Sequence, residues 1–379
     1  MEYIHIEIEA ITSPKINGQL CGDVYEVIRN KEGTTIIFAD GIKSGVKANL
    51  AATMYVSHLK ELLQQGQSLR ESVLRTTDII ERSKTKDNLY TAFIIARILN
   101  NGNTTIISYE MPPPIIFSNN KASILKMGKN NSDLIMETHC NLSEKEAFLF
   151  VSDGISEAGM GSKNTNGWGV YGMSEFLNYK LSGKIKYKDI PKTIYSRALE
   201  INDNIKKDDM SIVLAKARKG TIVNVFSGPP SNPKLDYDKV SEFVESDGIK
   251  IICGATTAKI VASYLNKKLF VEENYDPLIP PAYEVEGIDL VTEGTVTLNQ
   301  VYNLLDEDIT RISKRNVVGD FVSLLSAADK INFFIGTTAN PANDNIEFVQ
   351  QGLLKRTRII PLIADKLKKE SKTVIIKYL

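Results

Sequence analysis

Two rhythms of apolar residues divide this chain, and each is compatible with few architectures. Up to about residue 218, strand-like alternation comes in blocks: 2–10, 22–29 and 34–39, then 89–99, 103–109, 114–118, 122–127 and 147–152. A helical pair separates the blocks. Its first member runs from Val46 to about Gln65, with apolar residues at Val46, Leu50, Met54 and Leu59 recurring roughly once per turn. Its second member covers 68–83, and further helical stretches near 173–182 and 189–204 precede a closing strand at 210–218. Strand blocks around a helical pair predict an α+β fold, an antiparallel β-sandwich flanked by helices. After Lys219-Gly220 the order becomes β-α-β-α: TIVNVF, a helix near 234–246, IKIICGA, and a helix near 256–267. That order predicts a smaller α/β domain with a partly parallel sheet. A length of 379 residues suits two domains, 1–219 and 220–379.

Composition removes several classes of function. Lys plus Arg and Asp plus Glu are equal at 46 each, so no bulk positive charge recruits nucleic acid or an acidic membrane. Cys21, Cys140 and Cys253 are widely spaced and form no CxxC pair, which speaks against a disulfide framework or a zinc site. No apolar run approaches the ~18 residues of a membrane span. The N-terminus, MEYIHIEIEA, alternates like a strand and lacks the pattern of a secretory leader. The expected compartment is the cytoplasm.

The chemistry lies in aspartates at strand ends. Asp23 follows Cys21-Gly22 at the start of one strand; Asp40 ends TTIIFAD before Gly41; Asp153 ends FLFVSD before Gly154; Asp208-Asp209 open the last strand of the first domain. One Asp-Gly pair alone is more often a turn than a ligand. Four strand-end carboxylates with little His or Cys nearby match the oxygen ligands that Mg²⁺ or Mn²⁺ prefer. Such carboxylates, gathered together, repel one another until cations neutralise them.

CGDVYE, FADGIKSGVKANLAA, FVSDGISEA and KDDMSIVL, in that order, resemble the metal-dependent serine/threonine phosphatases of the type 2C superfamily. The nearest branch is the bacterial one that includes the stage II sporulation phosphatase E and regulators of stress sigma factors. Asp40, Gly41, Gly45 and Ala48 fit its second motif, and Pro112-Pro113-Pro114 resembles its G-H-P-P-P element. The resemblance covers roughly residues 1–218. It implies hydrolysis of phosphoserine or phosphothreonine on a protein substrate, with two Mn²⁺ or Mg²⁺ ions activating a water. It also implies roles: Asp40 bridging the ions with help from the Gly41 carbonyl, Asp23 completing one site, Asp153 and Asp208 holding the other. Asp40 and Asp153 are the catalytic carboxylates of that reading, and Asp209 is a neighbour. Two departures stand out. Glu110-Met111 replaces the family's Gly-His, and no arginine matches the phosphate-holding arginine of eukaryotic relatives, leaving Lys15 or Arg29 as substitutes.

Other features have plainer readings. His5, His58 and His139 read as structural residues and Cys21 as a small buried one. The stretch 163–172, with the only Trp, is either an insertion shaping substrate access or a surface loop with an aromatic plug. Pro277–Pro281 reads as a rigid connector, and the basic run at 366–369 as a solvated helix face. In the second domain, IKIICGATTAKIVASYL sends a buried strand into a turn at Gly254 and a helix opening with Thr256-Thr257. Free N–H groups there attract a small anion, although an ordinary capped connection fits as well. INFFIGTTANPANDN has a similar shape around Gly336, and the two loops would share one crevice if adjacent. The competing function is therefore a catalytically weak, phosphatase-fold regulatory protein whose C-terminal domain senses a ligand or partner.

Overall fold

A computed structural model of the chain describes residues 3–84, 90–129, 134–161, 165–231, 236–271, 283–307, 316–338 and 352–379. Pro277–Pro281 and residues 339–345 of the second loop lie outside them. The chain forms two compact units, Met1–Lys219 and Gly220–Leu379. Among the described residues, no helix is long and apolar enough to cross a membrane.

The first unit contains β1 (Ile4–Ser13), β2 (Asp23–Arg29), β3 (Gly33–Gly41), α1 (Val46–Gln64), α2 (Leu69–Ser83), β4 (Thr91–Leu99), β5 (Asn103–Tyr109), β6 (Ile115–Ser118), β7 (Lys121–Ile124), β8 (Gly128–Lys129), β9 (Met136–Asn141), β10 (Ala147–Val151), α3 (Asp153–Ser156), α4 (Gly169–Ser182), α5 (Ile190–Ile201) and β11 (Met210–Lys219). Two sheets form, ordered β1-β11-β10-β6-β7 and β2-β3-β4-β5-β9-β8, and their pairings are antiparallel.

The two-residue period of a strand explains the layering. Ile36 and Phe38 of β3 share one core with Phe148 and Phe150 of β10 and Val213 and Ala215 of β11, so this core lies between the sheets. Their neighbours Ile37 and Ala39 face the other way, onto Ala52, Tyr55, Val56 and Leu59 of α1 and Val73 and Ile80 of α2. On the other sheet, Leu149, Val151, Ile212 and Leu214 turn outward onto Met173, Leu177, Ile190 and Ile194 of α4 and α5. The result is the helix–sheet–sheet–helix sandwich expected of the first domain.

The face of α1 corrects the expectation for that helix. Val46, Leu50 and Met54 are 66%, 65% and 52% exposed, and only Leu59 of the expected apolar stripe is buried. Ala48, Ala51, Ala52, Tyr55, Val56 and Leu62 complete the buried face. The cause is close approach: a β-carbon on Gly41 would stand 2.3 Å from the Ala48 carbonyl oxygen. Only small side chains fit so near a sheet, so alanines occupy the core side.

The second unit adds β12 (Ile222–Ser227), α6 (Asp236–Glu245), β13 (Ile249–Cys253), α7 (Ala255–Leu265), β14 (Leu269–Val271), β15 (Tyr283–Val285), β16 (Leu290–Thr292), α8 (Thr295–Leu304), α9 (Val317–Ala327), β17 (Lys330–Ile335), α10 (Arg356–Lys369) and β18 (Thr373–Tyr378). Its sheet runs β14-β15-β16-β13-β12-β17-β18; the five strands from β16 to β18 are parallel, and β14 and β15 join antiparallel. Val223 and Val225 pack under α8, α9 and α10, while Phe226 packs with Val240 and Phe243 of α6 and Val261 of α7. Both faces are covered, as in α/β proteins generally.

Candidate active site

β2 and β3 are joined by a hairpin whose register runs from Arg29 opposite Thr34 to Asp23 opposite Asp40. Asp23 and Asp40 therefore face each other on the last rung. Arg29 is at the opposite end, where its guanidinium donates to Thr34 Oγ1 at 3.1 Å and the Ile6 carbonyl at 2.8 Å. It is thus no substitute for a phosphate-holding arginine. Asp153 opens α3 just beyond β10, and its amide donates to Asp40 Oδ2 at 3.3 Å. Asp208-Asp209 come in from the start of β11 against Gly154, where a β-carbon would lie 1.9 Å from the Asp209 carbonyl oxygen. That approach requires a glycine after Asp153.

The electrostatics are those of a crowded acidic site. Asp23 is 4% exposed, and neither of its carboxylate oxygens has a hydrogen-bond partner. Burial pushes its pKa up to about 7, with Asp209 and Asp153 adding to the rise. The hydroxyls of Ser211 and Ser152 temper that rise by proximity without making a well-aligned bond. Asp40 is raised well above the usual carboxylate range, by burial first and then by Asp23 and Asp153. Asp153 rises to about 6 through burial, Asp208 and Glu157. Burial also raises Asp208, against which the Lys15 charge pulls down. Lys15 therefore stands within electrostatic reach of the acidic site, as the sequence suggested.

The expected ligands Asp23, Asp40, Gly41, Asp153 and Asp208 are thus brought to one neighbourhood. Among the described residues, no three His, Cys, Asp or Glu side chains converge tightly enough to hold a cation by themselves. The carboxylates meet in pairs, and a hard divalent cation that takes one or two carboxylates and keeps several waters suits pairs. A buried carboxylate with two orphaned oxygens is the donor such an ion requires, so the residues fit the group.

Asp209 has a part that the sequence did not reveal. Its Oδ1 accepts from the Lys15 amide at 2.6 Å and its Oδ2 from the Gly22 amide at 2.7 Å. The family resemblance separates it from the ligand-like Asp208, but its bonds escape the sequence because both partners lie nearly two hundred residues away.

Glu110 stands where the family has glycine, and its φ of 57° shows why glycine suits that position. Here the strained glutamate is held by Lys84, whose Nζ lies 2.8 Å from Glu110 Oε1 and 3.0 Å from Glu81 Oε1, and over the rings of Tyr90 and Tyr109. Trp168 packs edge-on against Phe176 at 5.6 Å and touches the outer core, the aromatic-plug reading of that stretch.

In the second unit β13 and β17 lie on opposite sides of β12, so the turns at Gly254 and Gly336 flank its end and do not meet. A β-carbon on Gly336 would stand 2.0 Å from the Pro229 carbonyl oxygen and 2.2 Å from that of Gly228. Backbone thus fills the space beside Gly336. Thr257 Oγ1 of α7 accepts from the Gly228 amide at 2.9 Å, which ties the helix to the loop after β12, and Gly254 at the start of α7 has no side-chain cap.

A helix–sheet–sheet–helix sandwich with strand-end aspartates gathered at one place defines the class of the type 2C phosphatases. Residues 30–218 match the family model of stage II sporulation protein E (SpoIIE). Through its N-terminal unit, the chain belongs to the SpoIIE-like branch of that superfamily. Among solved structures, the phosphatase domain of Bacillus subtilis SpoIIE with a fragment of its regulatory domain is similar at 18% identity and a TM-score of 0.48. The match covers 58% of this chain and 65% of that one. The RsbU and RsbW domains of Mycobacterium tuberculosis Rv1364c are similar at 12% identity and a TM-score of 0.49, covering 64% of this chain and 68% of that one. A comparison with curated proteins finds no match.

Proposed function

We propose that the first unit is a protein serine/threonine phosphatase that hydrolyses phosphoserine and phosphothreonine at a site for two Mn²⁺ or Mg²⁺ ions. The observation that carries this reading is Asp23, a buried carboxylate with both oxygens unpartnered, across the last rung from Asp40. Bound there, a pair of divalent cations supplies a water of lowered pKa and neutralises charge on the transferring phosphoryl group. Asp23, Asp40, the Gly41 carbonyl, Asp153 and Asp208 are the residues to hold them. Asp40 would serve both ions; its carboxylate belongs to the rung shared with Asp23 and accepts the Asp153 amide. Lys15, whose charge acts on Asp208, is the candidate to bind the substrate phosphate.

The test is release of phosphate from a phosphopeptide by the full chain with and without Mn²⁺. Metal-dependent turnover that Asp40→Ala removes is the expected result. Metal-independent turnover, or full activity in Asp40→Ala, refutes the assignment. Met111, where the family has histidine, favours a second reading, a weak or inactive phosphatase fold that regulates. Mn²⁺ binding without turnover identifies that case.

A further inference from the structure

We propose that Asp209 is a positioning residue, which closes the segment Lys15–Gly22 and thereby sets where Asp23 and Lys15 stand. The carboxylate is 4% exposed, and each of its oxygens accepts from one backbone amide, Lys15 at one end of the segment and Gly22 at the other. Both oxygens are engaged by the chain, which gives Asp209 the role of a brace.

The segment has few other anchors. Its apolar side chains point outward, with Ile16 53% and Leu20 54% exposed, so no core holds it. It turns at Gly18, at a φ of 85°, with the Gln19 amide donating to the Ile16 carbonyl. From outside it is held by Lys206, which donates to Asn17 Oδ1 at 2.8 Å and the Pro14 carbonyl at 3.3 Å, and by Asn49, which donates to the Cys21 carbonyl at 2.7 Å. Cys21 Sγ also lies 3.6 Å from Ser211 Oγ, and the Gly41 amide donates to the Gly22 carbonyl at 3.3 Å. Among the described residues, only Asp209 ties both ends to one point. Asp23 follows Gly22 directly, and Lys15 is the cation that lowers Asp208. One carboxylate therefore sets the spacing between a metal-site aspartate and a phosphate-site lysine. Gly22 belongs to the same device, because a β-carbon there would stand 2.7 Å from Asp209 Oδ2.

The brace itself is read from geometry; its consequence for cation affinity rests on the phosphatase reading above. The test uses Asp209→Asn in the full chain. Asparagine keeps the shape but has one acceptor oxygen, so its amide group must face one of the two N–H donors. In metal-free protein, hydrogen exchange should show lost protection at the Lys15 or Gly22 amide while the melting temperature stays near that of the wild type. Titration with Mn²⁺ should then show about a 10–100-fold weaker affinity, the loss typical when a residue supporting a ligand is changed. Gly22→Ala disturbs the same contact from the other side, and the double variant should lose less than the sum of the singles. Protection retained at both amides overturns the proposal. So does a lowered melting temperature with unchanged Mn²⁺ affinity, which marks Asp209 as merely structural. If the wild type itself neither binds Mn²⁺ nor releases phosphate, the phosphatase reading fails; the exchange measurement still decides whether Asp209 closes the segment.

Discussion

Two buried aspartates, one in each unit, are treated in opposite ways. Asp329, 8% exposed, accepts from the Thr221 amide at 2.8 Å as the chain enters β12. Asp23, 4% exposed, accepts from nothing and sits among other carboxylates. Burying a charge is unfavourable unless it is paired, and a protein that leaves one unpaired keeps it for something absent from the apo fold. The pairing of Asp329 fastens a strand. The isolation of Asp23 reads as chemistry.

The largest expected effect is on turnover. Asp40→Ala should lower Mn²⁺-dependent phosphate release from a phosphopeptide by about a thousandfold or more, since several kcal/mol of charge stabilisation depends on the cations. The same substitution in metal-free protein should leave the melting temperature unchanged or slightly raised, because it relieves repulsion. A loss of stability as large as the loss of activity would show that Asp40 is a structural residue.

Next is the counterpart in the second unit. Asp329→Ala leaves the Thr221 amide without its acceptor and should destabilise that unit by about 1–3 kcal/mol, measured by denaturant titration. Asp23→Ala should show no such loss without metal. If both variants fall equally, the contrast drawn here is false.

How much of this was legible in the sequence depends on the kind of contact. The strands leading to Asp40 and Asp153 could be read because both faces are apolar and an Asp-Gly pair stands at or just beyond the end of each. The division near Lys219 could be read because strand blocks give way to alternating strands and helices. The buried side of α1 could not, since its first turns bury Ala48, Ala51 and Ala52 close to the sheet, while Val46, Leu50 and Met54 mimic a core stripe. β9 escaped for a related reason: Met136–Asn141 is polar and partly exposed, held to β5 by backbone pairing, with no apolar period to announce it. The bonds of Asp209 and Arg29 escape the sequence because distant contacts make them.

A smaller effect concerns pH. Asp23 and Asp153 are raised to about 7 and about 6 in the folded chain, above the ordinary carboxylate value of ~3.9. Between about pH 4 and 7 the folded state thus holds protons that the unfolded state has released, and stability falls as pH rises through that window. In EDTA, the melting temperature should be lower at pH 7.5 than at 5.5. Asp23→Asn should flatten the slope, and Asp329→Asn should not. Added Mn²⁺ should flatten it as well, by neutralising the carboxylates. A melting temperature that rises with pH across this range would contradict the burial of unpaired acids.

The smallest effect tests the face of α1. Leu50 lies on the solvent side, 65% exposed, whereas Ala52, two residues on, is fully buried against β3. Leu50→Ser removes an apolar side chain that contributes little burial and should shift stability by no more than about 0.5 kcal/mol. Ala52→Leu, by contrast, forces methyl groups into the narrow gap between helix and sheet, where overpacking typically destabilises by about 1–3 kcal/mol. A large loss from Leu50→Ser with tolerance of Ala52→Leu would mean that α1 is rotated about its axis in solution. Such a rotation would also withdraw Ala48 from Gly41, and with it the packing that places the end of β3 in the site.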